Sequence, residues 1–215
     1  MKKCYHFTNI DQLESILSEG LKPQCGIHSQ LLLDSRKEKV YYSVGEEATI
    51  EMFAAFYEIL MRVLDGRISP ELYETYSDEL KQKLETSNDV ESWIDDGIYL
   101  AFDGDTLNNY NEEKIEDSFT SDTIRPENLY VCVLKDENSG EIISTKSSDI
   151  VTYFLAKRTN NFEEVMHIVG FFALHISKKV EEYRNTPLIV DYIPLSNYYK
   201  LSQSDNNNNN KRTHL

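Results

Sequence analysis

The sequence predicts one α+β domain, and three observations carry that reading. Short apolar runs bounded by turn residues, Gly97 to Phe102 and Leu129 to Leu134, read as central strands, while Glu46 to Leu64 carries apolar residues at helical intervals. Both patterns share a chain of 215 residues, the size of one compact unit with a single large core. An apolar share of 40%, with 14 Tyr and 9 Phe, supplies that core and removes the profile of a disordered chain.

In order along the chain, Cys4 to Thr8 reads as a first strand. Asn9 then stands where a helix cap belongs, with Gln12 three positions on in a capping-box-like spacing. Ile10, Leu13, Ile16 and Leu17 recur at helical intervals, and Gly20 ends the helix as its left-handed terminal residue ahead of Leu21 and Pro23. A polar loop follows from Gln24 to Lys39, and Val40 to Ser43 has the β-branched and aromatic character of one short strand, closed by Gly45. In the long helix that follows, Ile50, Phe53, Ala54, Tyr57, Leu60, Met61 and Leu64 trace one face.

Ser69 with Pro70 caps a second, acidic helix ending before Asn88. Between the two central strands lies an Asn- and Asp-rich excursion. Ser147 or Ser148 caps a helix to about Lys157, Asn161 another to about Arg184, and Pro187 opens a last extended segment, LIVDYIPL. Residues 1–201 are expected to form the domain, and 202–215, with five consecutive asparagines, a disordered tail. No repeat period is visible.

Composition excludes several classes. With 37 acidic residues against 22 basic, a net charge of -15 repels a phosphate backbone, and the nearest basic group, Arg36, Lys37 and Lys39, is interleaved with Asp34 and Glu38, so nucleic acid is not expected as a partner. Cys4, Cys25 and Cys132 have no CxxC spacing, which argues against a disulfide framework or a structural zinc and for a reducing compartment. The opening MKKCYHFTNID lacks the apolar core of a secretory signal. Val165 to Ile176, at about 1.5 Å per residue, falls well short of a bilayer core of about 30 Å and reads as a buried helix. No membrane contact and a cytoplasmic location, the protein's own or a host's after delivery, are expected. The usual dinucleotide, P-loop, serine-hydrolase and zinc-protease motifs are absent, so any NAD use would not pass through a doubly wound fold.

The segment YHFTNIDQLESILSEGLKP places a His near the end of a first strand, followed at once by a capped helix ending in Gly-Leu. This resembles the opening of ADP-ribosyltransferase-fold proteins, and VYYS at Val40 to Ser43, leading through a Gly into a long helix, is similar to the second motif of the branch that uses a histidine, a tyrosine and a glutamate. The resemblance covers residues 4 to 60 and more loosely 97 to 134. It implies split antiparallel sheets with flanking helices, NAD as substrate, a mono-ADP-ribosyltransferase activity of the glycosyltransferase class, and a protein acceptor.

Carried over by position, it implies that His6 bonds a ribose hydroxyl, that the Phe7 backbone meets the nicotinamide amide with Thr8 beside it, and that Tyr41 stacks on the nicotinamide ring. Stacking of that kind contributes about 0.5–1.5 kcal/mol beyond area burial. Tyr42 rivals Tyr41, because neighbouring strand residues face opposite ways. Ser43 and Thr49 are expected to bound the pocket.

Family enzymes also hold a ribose hydroxyl with a late glutamate. EKIEDSFTSDTIRPENLYV is loosely similar to the segment around it, which makes Glu116 the candidate, with Asp117 adjacent and Glu127 and Glu141 as alternatives. In the loop CGIHS, Gly26 permits a tight turn while His28 and Ser29 supply donors for the adenine side. Cys25 and His28 have no matching second pair, and His167 and His175 stand two helical turns apart, so no metal is expected. Two other readings stand beside the transferase: a non-catalytic binding module of the same fold, and an RNA 2′-phosphotransferase-like enzyme, for which the recognised motifs supply no basic residues.

Overall fold

The computed structural model describes residues 3–24, 39–86, 93–94, 97–107, 118–159, 167, 170 and 172–212. Its centre is an antiparallel sheet. Strand β1 (Lys3–Asn9) pairs along its whole length with β4 (Gly97–Asp103), and β4 pairs with the start of β6 (Tyr130–Asp136). β8 (Leu188–Pro194) runs beside all of β6. A strand has two edges, so β4 and the short β7 (Ile142–Ser144) share the other edge of β6, at its two ends.

Alternation of side chains along these strands produces two apolar faces. Tyr5, Tyr99, Ala101, Cys132 and Leu134 point to one side and are buried against α2 (Gly45–Leu64), α5 (Ser147–Arg158) and α6 (Phe172–Asn185). Cys4, Ile98, Leu100, Phe102, Val131 and Val133 point to the other, where Leu13 and Ile16 of α1 (Leu13–Glu19) and Leu195 and Tyr198 of α7 (Leu195–Arg212) close over them. The β-branched and aromatic content of β4 and β6 follows from burial on both faces.

Residue order explains the helix ends. Gly20 has φ +81°, and its N–H closes α1 on the Ile16 carbonyl at 2.8 Å. A Cβ there would meet the Ile124 carbonyl oxygen at 2.7 Å, so the glycine also admits the bridge between Leu21 and Ile124. Ser69 accepts the Leu72 N–H at 3.2 Å and starts α3 (Pro70–Tyr73).

Several expectations are corrected. Asn9 occupies a cap position, but of a short 3-10 turn (Ile10–Gln12), and makes no side-chain capping bond there. The acidic helix after Pro70 is two helices, α3 and α4 (Asp78–Thr86), because Ser77 restarts the ladder by accepting the Leu80 N–H at 3.2 Å. Lys146, not Ser147 or Ser148, is the cap of α5, and Ser147 is buried inside it with its hydroxyl donated to the Ile94 carbonyl. α7, nucleated on the sheet by Leu195 and Tyr198, runs past Ser202 to Arg212, each added residue contributing one hydrogen bond. Val40 to Ser43 is not one strand. It breaks at Tyr42 into β2 (Val40–Tyr41) and β3 (Ser43–Val44), which pair with different partners.

Candidate functional site

The break at Tyr42 creates the site. β3 pairs with β1 through Cys4 with Val44 and Tyr5 with Ser43. Continued, that register would set Phe7 opposite Tyr41, yet β2 has turned away to pair with β5 (Phe119–Thr120), where the Tyr42 N–H donates to the Ser118 carbonyl at 3.0 Å. The Tyr41 carbonyl therefore faces β1, and the His6 imidazole takes it: Nδ1 lies 2.7 Å from that oxygen. A side chain stands where a ladder bond would otherwise hold the two strands together.

A carbonyl carries no proton, so Nδ1–H is the donor and this bond selects the tautomer. His6 keeps some accessible surface, but the density of protein around the ring makes desolvation the dominant influence, and it holds the imidazole pKa below its ordinary value against the opposing pull of the Tyr41 carbonyl. A neutral ring with its proton on Nδ1 leaves the Nε2 lone pair as an acceptor.

The two-stranded ribbon has an inner and an outer side. Val40 and Thr120 are buried, whereas Tyr41 is half-buried with its ring centroid 6.3 Å from that of Phe119, which is 37% exposed. The Lys39 ammonium lies 3.2 Å from the Phe119 centroid and 5.9 Å from that of Tyr41. Tyr42 points inward, 3% exposed, edge-on to Phe102 at 5.5 Å and 78°. That removes Tyr42 as a stacking surface and leaves Tyr41.

Ser43 and Thr49 do not line an opening. They are buried at 1% and 0% exposure, their hydroxyls 2.6 Å apart, and Thr49 donates to the Gly45 carbonyl at 2.7 Å. With that proton committed, Ser43 is the donor to Thr49, and the pair pins the first turn of α2 to the sheet. Thr8 is buried beneath the same face as His6. The Ser43 hydroxyl lies 3.4 Å from the Tyr5 carbonyl, which turns that carbonyl toward β3, and alternation turns the Phe7 backbone groups the same way, beyond the last β3 partner. The Phe7 ring packs on the opposite face against Phe53, Phe56 and Tyr99.

Gly26, Ser29 and Glu116, with Cys25, His28 and Asp117, lie outside the described residues. Glu127 and Glu141 are exposed, and neither is brought to His6 by the elements that carry it. His167 is exposed. Sequence reasoning missed Phe119 and Lys39. Lys39 stands two residues from Tyr41 and so shares its side of the ribbon, a signal present in the sequence, whereas the pairing of Phe119 with Tyr41 had none.

Two cavities lined by described residues lie away from His6 and Tyr41. One of about 260 Å³ sits among Val63, Ile68, Tyr73 and Leu84, and one of about 530 Å³ among Thr106, Asp122, Arg125 and Asn128. Among the described residues, no group of three or more His, Cys, Asp or Glu side chains is placed to hold a metal, and no helix is long and apolar enough to cross a membrane.

Fold and site together define an α+β protein in which a two-stranded ribbon diverges from the edge of the central antiparallel sheet beside a histidine. No protein-family model, curated protein or solved structure matches the chain.

Proposed function

We propose that this chain is a mono-ADP-ribosyltransferase that takes NAD as substrate and passes ADP-ribose to a protein acceptor. The observation that supports the reading is the parting of β1 from β2, with a neutral imidazole locked by the Tyr41 carbonyl at the point of divergence. An imidazole in that tautomer accepts a hydrogen bond through Nε2, which suits a ribose hydroxyl, and a protonated ring would not. The half-buried Tyr41 ring, braced by Phe119, suits a flat heterocycle.

In the reaction the C1′–N bond to nicotinamide breaks and its electron pair leaves with the pyridinium nitrogen, which becomes neutral. A lone pair of the acceptor side chain forms the new bond to C1′, and the acceptor's proton passes to a base or to water. His6 and Tyr41 orient the two ends of the substrate. The carboxylate that stabilises the developing positive charge is assigned by the resemblance to Glu116, two residues before Ser118 in the sequence.

Incubation with labelled NAD and a lysate should label discrete proteins, and His6→Ala, Tyr41→Ala and Glu116→Gln should each abolish labelling while the variants remain folded by circular dichroism. Thermal stabilisation by NAD without transfer would instead make the chain a binding module. No response to NAD in either assay overturns the nucleotide reading.

A further inference from the structure

The outer edge of β8 carries an inference independent of nucleotide chemistry. β8 pairs with β6 along one edge only, and no described strand covers the other. The Leu195 N–H donates to the Leu129 carbonyl at 3.0 Å and the Glu137 N–H to the Pro187 carbonyl at 2.7 Å, so odd-numbered positions turn their backbone groups toward β6. By alternation, Leu188, Val190, Tyr192 and Pro194 turn theirs outward.

An open edge of this length, on a strand that also carries Ile189 at 38% exposure, is a template for another strand. Strand addition needs outward donors, however, and nearly all are spent. Pro194 has none. The Leu188 N–H bonds the Thr186 carbonyl at 2.9 Å, and the Tyr192 N–H bonds Oδ1 of Asp191 at 2.8 Å. Val190 alone presents an outward N–H. Asp191 is in turn held by Lys135, whose ammonium reaches Oδ2 at 2.5 Å.

We propose that Asp191 closes the outer edge of β8 to pairing with a second copy of this chain, by occupying the one further N–H that a β8–β8 ladder would need. Proline and the Leu188 turn are built into the backbone. Asp191 is the one of these closures made by a side-chain hydrogen bond.

The test combines light scattering over a concentration series with amide hydrogen exchange on the full chain. In the native protein the Tyr192 amide should exchange slowly and the Val190 amide rapidly, both independent of concentration. Asp191→Ala should speed the Tyr192 amide in dilute solution and dimerise at a concentration at least about tenfold lower than the native chain, since about 1.4 kcal/mol of added pairing corresponds to that factor. Adding Val190→Pro should reverse the dimerisation, a proline being tolerated where its nitrogen faces outward. Lys135→Gln, which keeps the Asp191 to Tyr192 bond, should behave as the native chain.

Unchanged mass for Asp191→Ala at every concentration overturns the proposal, as does equal dimerisation of Lys135→Gln, which would assign the effect to lost charge pairing. If Asp191→Ala fails to fold, the native exchange pattern decides: a rapid Tyr192 amide or a concentration-protected Val190 amide refutes the closed edge.

Discussion

Gly97→Ala probes the floor beneath the candidate site. Gly97 opens β4 opposite Asn9, and an added Cβ would lie 2.4 Å and 2.5 Å from two carbons of the Phe7 ring and 2.8 Å from the Ser147 hydroxyl. Ordinary contact begins near 3.4 Å, so the ring must retreat by about 1 Å. Phe53, Phe56 and Tyr99, at centroid distances of 6.2, 5.3 and 5.9 Å, hinder the retreat of this half-buried ring. Overpacking of this kind costs about 1–3 kcal/mol, and three simultaneous clashes in a braced setting place it at or just above the upper end. Alanine recovers about 0.5–1 kcal/mol of backbone entropy over glycine in a strand, which leaves a net loss of about 2–3 kcal/mol. For a chain of this size that lowers Tm by about 4–12 °C. Urea unfolding followed by circular dichroism measures the loss directly. In a Phe7→Leu background the same change should cost under about 1 kcal/mol. Gly45→Ala separates packing from backbone strain: φ is +82° and nothing lies within 4 Å, so only the left-handed penalty of about 1–2 kcal/mol applies. A Gly97→Ala protein within about 0.5 kcal/mol of the native one, or an equal loss in the Phe7→Leu background, would refute the packing argument.

Two further outcomes follow from the site's own bonds. Because the His6 pKa is held down by burial, the unfolded chain binds that proton more readily than the folded one, so His6 contributes full stability above the ordinary value of 6.5 and that contribution falls as pH drops below it. An NMR titration should place the His6 midpoint under 6.5, and His6→Gln should flatten the acid limb of the stability curve; a midpoint above 6.5 contradicts the neutral ring. Thr49→Val leaves the Ser43 hydroxyl with only the Tyr5 carbonyl at 3.4 Å and should cost about 1–3 kcal/mol in urea unfolding, against about 1 kcal/mol for Ser43→Ala, which leaves the Thr49 bond to Gly45 in place. Equal losses for the two would mean that the direction of the hydroxyl chain is wrong.

Periodicity made some elements readable and left others hidden. The helix from Gly45 to Leu64 announces itself because one face is buried and the other wet, so its apolar residues recur every three or four positions. β4 and β6 were legible for the opposite reason: burial on both faces leaves an unbroken apolar run. β5 and β7 are too short to carry a pattern, and Phe119 and Ile143 are exposed, so nothing in their composition marks them. The helical turns after Ser202 run against asparagine's weak helix preference.

At the site, the family resemblance alone grouped His6 with the Tyr41–Tyr42 pair, and strand alternation alone required those two tyrosines to face apart. Which of them turns inward was decided by the tertiary structure, because a period of two states that neighbours differ without saying which side holds the core. Phe102, from a strand far along the chain, claims Tyr42, and Phe119 on a strand of two residues draws β2 away from β1. The divergence of β2 from β1 is a product of two competing pairings, each made with a segment that the motif does not contain.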